Sequence, residues 1–133
     1  MTKAIPTAVI HKMPLKITIK KDYILLEPQE GLDYREIRRG IARLFYVSEL
    51  PAKNNIWIFR QGPEKLSYDD LYKLRDIIKE NYPKNPNINK TAIVAESGLQ
   101  TIMAEAFTQI TADLPHKFRV FSNLQAAETW VKE

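Results

Sequence analysis

At 133 residues the chain has the length of one domain and can bury one substantial core. Its 44% apolar and 27% charged content is ordinary for a globular fold, and the absence of cysteine excludes a disulfide framework, a thiolate metal site and a cysteine nucleophile. The net charge of +4, from 20 basic and 16 acidic residues spread along the chain, is too mild for a dedicated nucleic-acid binder.

No apolar run approaches the roughly 18 residues that a membrane span needs, and the first residues lack the apolar stretch of a signal peptide. A reducing cytoplasm is the compartment expected.

Residues 1–14, with Pro6 and Pro14, read as a loosely held arm. Leu15, Ile17 and Ile19 then alternate with Lys16, Thr18 and Lys20, the period of a half-buried strand. Lys21-Asp22 is a turn, and Tyr23-Ile24-Leu25-Leu26 a more buried strand, so the two predict an antiparallel hairpin. Asp33 and Glu36 have capping-box spacing, and Tyr34, Ile37, Ile41 and Leu44 fall on one face of the helix that follows. Gly40 interrupts that helix at a cost of about 1 kcal/mol against alanine, which suggests close packing on the sheet.

From here one unit recurs three times: an apolar strand, a turn and an amphipathic helix. The strands are Ile56–Phe59, Thr91–Ala95 and Phe118–Phe121. The first helix starts at Ser67 and turns Leu71, Leu74, Ile77 and Ile78 inward. The second follows Ser97-Gly98, with Leu99, Ile102, Met103, Ala106, Phe107 and Ile110 at helical spacing. Ser122 or Asn123 caps the last, which carries Leu124, Ala127, Trp130 and Val131 inward. Strands alternating with helices predict βαβ units and parallel strands. The expected fold is α/β, an N-terminal β-hairpin followed by parallel βα units in the order β-β-α-β-α-β-α-β-α, with helices packed on a mixed sheet.

That order resembles the STAS-like fold of anti-sigma-factor antagonists. More closely, the chain is similar to the SpoIIAA-like (STAS/SEC14-type) family of small bacterial proteins. The resemblance rests on the closing segment Phe118–Val131, with its Arg119, Phe121, polar cap, Ala127 and Trp130-Val131. It rests also on Lys90–Ala95 with the small-residue turn beyond, and on the strand at Ile56 leading to a helix near Ser67; together these cover residues 15–133. In the antagonist branch a serine opening the second helix, in an Asp-Ser-Ser-Gly-like context, accepts phosphate. The resemblance carries that role to Ser67, although Lys65-Leu66 replaces the preceding acid and Asp69 or Asp70 the glycine.

If the three strands are parallel, Arg60-Gln61-Gly62, Glu96-Ser97-Gly98 and Ser122-Asn123 share one edge of the sheet, where such folds place ligands. Amides at Gly98-Leu99 suit an anion, with Arg60 as a counter-charge. Ser67 doubles as an N-cap, with Asp69 and Asp70 on the positive end of the helix dipole. A serine hydrolase is excluded by geometry. Ser97 lacks the Gly-x-Ser-x-Gly elbow, and His116 precedes its strand, so roughly 17 Å of strand separates the two. Two distant histidines make no metal cluster, and no cofactor is expected.

Arg35, Arg38, Arg39 and Arg43 form a basic stripe, either a solvated helix face or a contact for an acidic partner, an anionic lipid surface or nucleic acid. The aromatic residues are expected mostly in the core. The leading expectation is a non-enzymatic regulatory or protein-binding module acting through its second and third helices and the loops before them. Its contacts would be Ser67, Tyr68, Asp69, Ser97, Gly98 and Arg60, and a homodimer is compatible with it. The alternative is a small carrier of an apolar ligand or lipid held between helices and sheet, which requires a continuous cavity.

Overall fold

A computed structural model describes residues 8–12, 15–29, 32–45, 50–60, 64–81, 88–96 and 98–133, with the backbone alone at 8–12, 32 and 64. In chain order the elements are β1 (Ala8–Lys12), β2 (Leu15–Ile19), β3 (Tyr23–Pro28), β4 (Leu32–Asp33), α1 (Tyr34–Phe45), β5 (Asn54–Phe59), β6 (Glu64–Lys65), α2 (Tyr68–Glu80), β7 (Lys90–Ala95), α3 (Gly98–Ile110), β8 (Lys117–Phe121) and α4 (Leu124–Lys132). Among the described residues six strands form one sheet in the order β1-β2-β3-β5-β7-β8. The first three are antiparallel, and β3, β5, β7 and β8 run parallel. The hairpin and the three parallel βα units stand as the patterning predicts.

The expected arm contributes an additional strand, since Ala8–Lys12 pairs with Leu15–Ile19. A two-residue parallel ladder, β4 with β6, ties the loop leaving β3 to the loop leaving β5. Elements this short carry no hydrophobic period, so patterning cannot mark them.

The central strands are buried on both faces, as parallel strands covered by helices must be. On one face Ile24 and Leu26, Trp57 and Phe59, and Ile93 and Ala95 meet α1, α2 and α3. On the other, Tyr23 and Leu25, Ile56 and Ile58, and Ala92 and Val94 meet Ala127 and Val131 of α4. Strict alternation along each strand thus sorts one sequence into two cores. Connections from β3 to β5, β5 to β7 and β7 to β8 all cross the first face, so α1, α2 and α3 lie side by side there.

Gly40 is where α1 comes closest to the sheet. A Cβ added there would lie 3.2 Å from Leu15 Cδ2 and inside the contact radius of the Trp57 ring. At the other end of the sheet Asn54 joins three segments. Its side chain accepts from the amides of Asn89 (2.9 Å) and Lys90 (3.1 Å) and donates to the Val131 carbonyl (3.1 Å).

Candidate functional site

Parallel β5, β7 and β8 present their carboxyl ends at one rim, and the residues after them lead into α2, α3 and α4. Arg60, Ser67, Tyr68, Asp69, Glu96, Gly98 and Asn123 lie along this rim. Ser97, Gln61 and Gly62 lie outside the described residues.

Each rim residue has a definite local role. Ser67 Oγ accepts from the Asp70 amide (3.1 Å) while Asp70 Oδ2 accepts from the Ser67 amide (3.0 Å), a complete capping box opening α2. Asn123 caps α4 by accepting from the Ala126 amide at 2.8 Å. The Arg60 guanidinium reaches back to Glu27 of β3 at 3.0 Å and neutralises a carboxylate that is largely buried. Its charge is therefore directed at the sheet end rather than at Gly98. Around Gly98 itself an added Cβ would meet nothing within 4 Å.

On α1, Arg35, Arg38 and Arg39 are exposed and Arg43 is half-buried, with Arg39 3.4 Å from the Glu36 carboxylate.

The apolar face of α3 differs from the sequence expectation. Its sheet-facing residues are Gln100, Met103, Ala104 and Phe107, whereas Leu99 and Ile102 are 50% and 55% exposed. This helix is apolar around more than half of its circumference, with Thr101, Glu105, Thr108 and Gln109 on one polar side, so two overlapping stripes compete for the sheet. Packing selects the stripe that sets Phe107 edge-on against Phe118 of β8, ring centres 5.2 Å apart. The same rotation buries the Gln100 amide, which donates to the Arg60 carbonyl, a bond that no leucine could make.

The displaced stripe meets a second one on α2. Tyr68 and Tyr72 are 54% and 56% exposed, and with Arg75 and Lys79 they recur at helical spacing along one side of that helix. Arg75 on this side donates from Nε to the Ile110 carbonyl of α3 (3.0 Å) and pairs with Asp113 beyond it. The tyrosine side of α2 therefore borders α3. Both helices follow parallel strands, so their first turns lie at the same end. Tyr68 and Tyr72 thus stand across from Leu99 and Ile102. Asp69, Asp76, Glu96 and Glu105 are exposed around them.

Beneath α1, α2 and α3 lies an apolar cavity of about 60 Å³, walled by residues that include Ile41, Trp57, Leu74, Ile93, Met103 and Phe107. A cavity of roughly 150 Å³ is the scale that admits one benzene. The interior is otherwise filled by the side chains that the helical and strand periods turn inward.

A polar cluster, missed in the sequence, sits at the far end of the same core. Asn55 Oδ1 accepts from Trp57 Nε1 (3.1 Å) and from Thr91 Oγ1 (2.8 Å), and Thr91 Oγ1 lies 2.6 Å from His116 Nε2. His116 is 1% exposed and packs against Phe45 and Phe118. Burial pushes its imidazole down to about 4, against a smaller opposing effect of the Ile88 backbone. The signal available in the sequence was a polar residue at the head of each apolar strand, at Asn55, Thr91 and His116. Read strand by strand, each looks like a boundary; only the parallel pairing brings them together.

Among the described residues, no three His, Asp or Glu side chains converge as a metal site, and no helix is long and apolar enough to cross a membrane. The fold is α/β, and among the described residues a mixed sheet carries three helices on one face and one on the other. Comparison with protein-family models, curated proteins and solved structures finds no match.

Proposed function

We propose that this chain is a non-enzymatic, protein-binding module whose contact surface is the apolar face across the first turns of α2 and α3. The observation that carries the reading is the clustering of exposed large apolar side chains. Among the described residues the four such side chains are Tyr68, Tyr72, Leu99 and Ile102, and all belong to this one pair of helix ends. Scattered exposed hydrophobics need no explanation, but a contiguous group with a polar surround marks an interaction surface. Two tyrosines also suit an interface, because each offers a large rigid apolar body with a polar tip.

The order of hairpin and βα units supports a regulatory module of STAS-like type. Ser67, exposed and adjoining Tyr68, is the residue through which phosphorylation would act on the surface. A phosphate there would break the capping box and crowd Asp69 and Asp70 with like charge. A lipid-carrier reading needs far more room than about 60 Å³. Catalysis by His116 is disfavoured because its ring is buried at the strand starts, roughly 17 Å of strand away from the rim.

The test compares the wild-type chain with Tyr72→Ser/Ile102→Ser as baits in quantitative pull-downs from the source cells. Arg35→Ser/Arg38→Ser serves as a second bait. The expected result is a protein retained by wild type and by the arginine variant but depleted about tenfold by the tyrosine–isoleucine variant. Identical retention by all three baits would remove the reading.

A further inference from the structure

We propose that the outer edge of β8 is a strand-addition site for an acidic, extended segment of a partner protein. This surface shares no residue with the α2–α3 face, so the two readings stand or fall separately.

Among the described residues β8 is the last strand of its sheet and pairs with β7 alone. The Lys117 amide donates to the Asn89 carbonyl on the β7 side at 2.9 Å. Successive residues of a strand point their amide and carbonyl to opposite sides, so those of Phe118 and Val120 point away from the sheet. Lys117–Phe121 keeps an unbroken register with β7 over five residues, with neither proline nor bulge. These are the features that make an edge a template for another strand.

The edge also has a built surround. A groove of about 380 Å³ runs along it, bounded by Thr108 of α3 and by Thr111 and Leu114 beyond that helix on one side, and by Trp130 of α4 on the other. Lys117 and Arg119 are exposed, and among the described residues neither is in an ion pair. Arg119 lies over the Phe121 ring, 5.3 Å from its centre, which holds the guanidinium beside the edge.

The side-chain pattern specifies the occupant. Phe118 and Val120 belong to the core under α3, and Phe121 to the core under α4, so Lys117, Arg119 and Phe121 share the α4 face. An incoming strand alternates in the same way. Residues of the incoming strand on the α4 face meet Lys117 and Arg119, where carboxylates are favoured. Residues on the other face meet the half-buried Thr108 and Leu114, where small apolar side chains fit. A second copy of this chain fits poorly. The antiparallel register that pairs all five residues of two β8 edges sets Arg119 against Arg119, and like charges directly opposite are destabilising.

The probe is a fluorescein-labelled peptide in which glutamate and valine alternate over about seven positions, titrated with the full chain by fluorescence polarisation. Controls are a scrambled peptide, a lysine–valine peptide and an alternating peptide N-methylated on every second residue, made in both phases. The expected result is saturable binding of the alternating acidic peptide. Scrambling should weaken it about tenfold, as should Lys117→Glu/Arg119→Glu, and that variant should prefer the lysine–valine peptide. One phase of N-methylation should abolish binding and the other spare it, a readout on the wild-type chain that survives even if the variant misfolds. Equal binding of alternating and scrambled peptides overturns the proposal, as does indifference to N-methylation phase. Concentration-dependent dimerisation abolished by Val120→Pro, which removes an amide that points away from the sheet, also overturns it, in favour of a second copy.

Discussion

Thr91 Oγ1 stands 2.6 Å from His116 Nε2 inside the core, with the Thr91 hydroxyl also 2.8 Å from Asn55 Oδ1. The contact joins the start of β7 to the residue preceding β8 and makes a buried imidazole part of the sheet's packing. Around the ring lie Thr91, Phe45, Phe118 and the Ile88 backbone, none of them charged. The neutral form is favoured because burial penalises the imidazolium.

This sets the pH dependence of stability. With the native imidazole at about 4 against an ordinary 6.5, the unfolded chain binds more protons between those values. The contribution is fully present above pH 6.5 and is lost as the pH falls toward 4, at most on the order of 3 kcal/mol. Urea denaturation across this range should show stability rising with pH. In His116→Leu that slope should flatten, whatever the variant's absolute stability. An unchanged slope would mean that other groups carry it.

Gly40→Ala should destabilise the fold although alanine is the better helix former. The helix gains about 1 kcal/mol. Against this, the new methyl enters the space of the Trp57 ring. That ring has little freedom to move: its Nε1 is bonded to Asn55 and its face is stacked near Phe59, centres 6.1 Å apart. Overpacking of this kind costs about 1–3 kcal/mol. A net loss of up to about 2 kcal/mol in chemical denaturation is expected, and a net gain would show that α1 lifts without penalty.

Asn54→Ala should cost more than its half-exposed position suggests. Three hydrogen bonds connect its amide to the Asn89 and Lys90 backbones and to the end of α4. At about 1 kcal/mol each, a loss of roughly 3 kcal/mol is expected. Hydrogen exchange should show faster opening at the starts of β5 and β7 and in the last turn of α4 than in α2.

The Ser67 hydroxyl closes the capping box of α2, so Ser67→Ala should lower stability by about 1 kcal/mol and Ser67→Asp, itself a good cap, should recover most of it. If the site is also phosphorylated, intact-mass analysis of protein from its native cells should show a phosphate that vanishes in Ser67→Ala. Recovery of stability by aspartate without any such phosphate would leave Ser67 a cap alone.

The architecture was legible because several independent signals agreed. Alternation marked Leu15–Ile19, continuous apolar runs marked the double-sided strands, and the Ser67–Asp70 spacing opened α2 where the structure opens it. What stayed hidden depended on tertiary contact. Arg60 read as a charge at the rim, but its partner is Glu27, thirty-three residues earlier on a neighbouring strand. Gln100 lies outside the stripe that the period turns inward, but its amide is matched to a carbonyl that is identified only once β5 and α3 are set side by side. The Asn55–Thr91–His116 cluster likewise exists only through strand register.

The orientation of α3 can be tested by two substitutions that sequence patterning would rank the other way round. By period alone Ile102 is core and Gln100 is surface. In the structure Ile102 is 55% exposed and Gln100 1% exposed. Ile102→Ser should therefore shift stability by no more than about 0.5 kcal/mol, the usual range for surface positions. Gln100→Ala removes the donor to the Arg60 carbonyl and most of a buried side chain that lines the core cavity. It also removes a buried Oε1 that has no partner among the described residues, which offsets part of the loss. The lost bond costs about 1 kcal/mol and the enlarged cavity more, so a net loss of roughly 2 kcal/mol is expected. Denaturant midpoints for the two variants at one pH decide the matter. If Ile102→Ser is the more damaging, α3 is rotated toward the stripe containing Leu99, and the apolar face on which the binding proposal rests is part of the core.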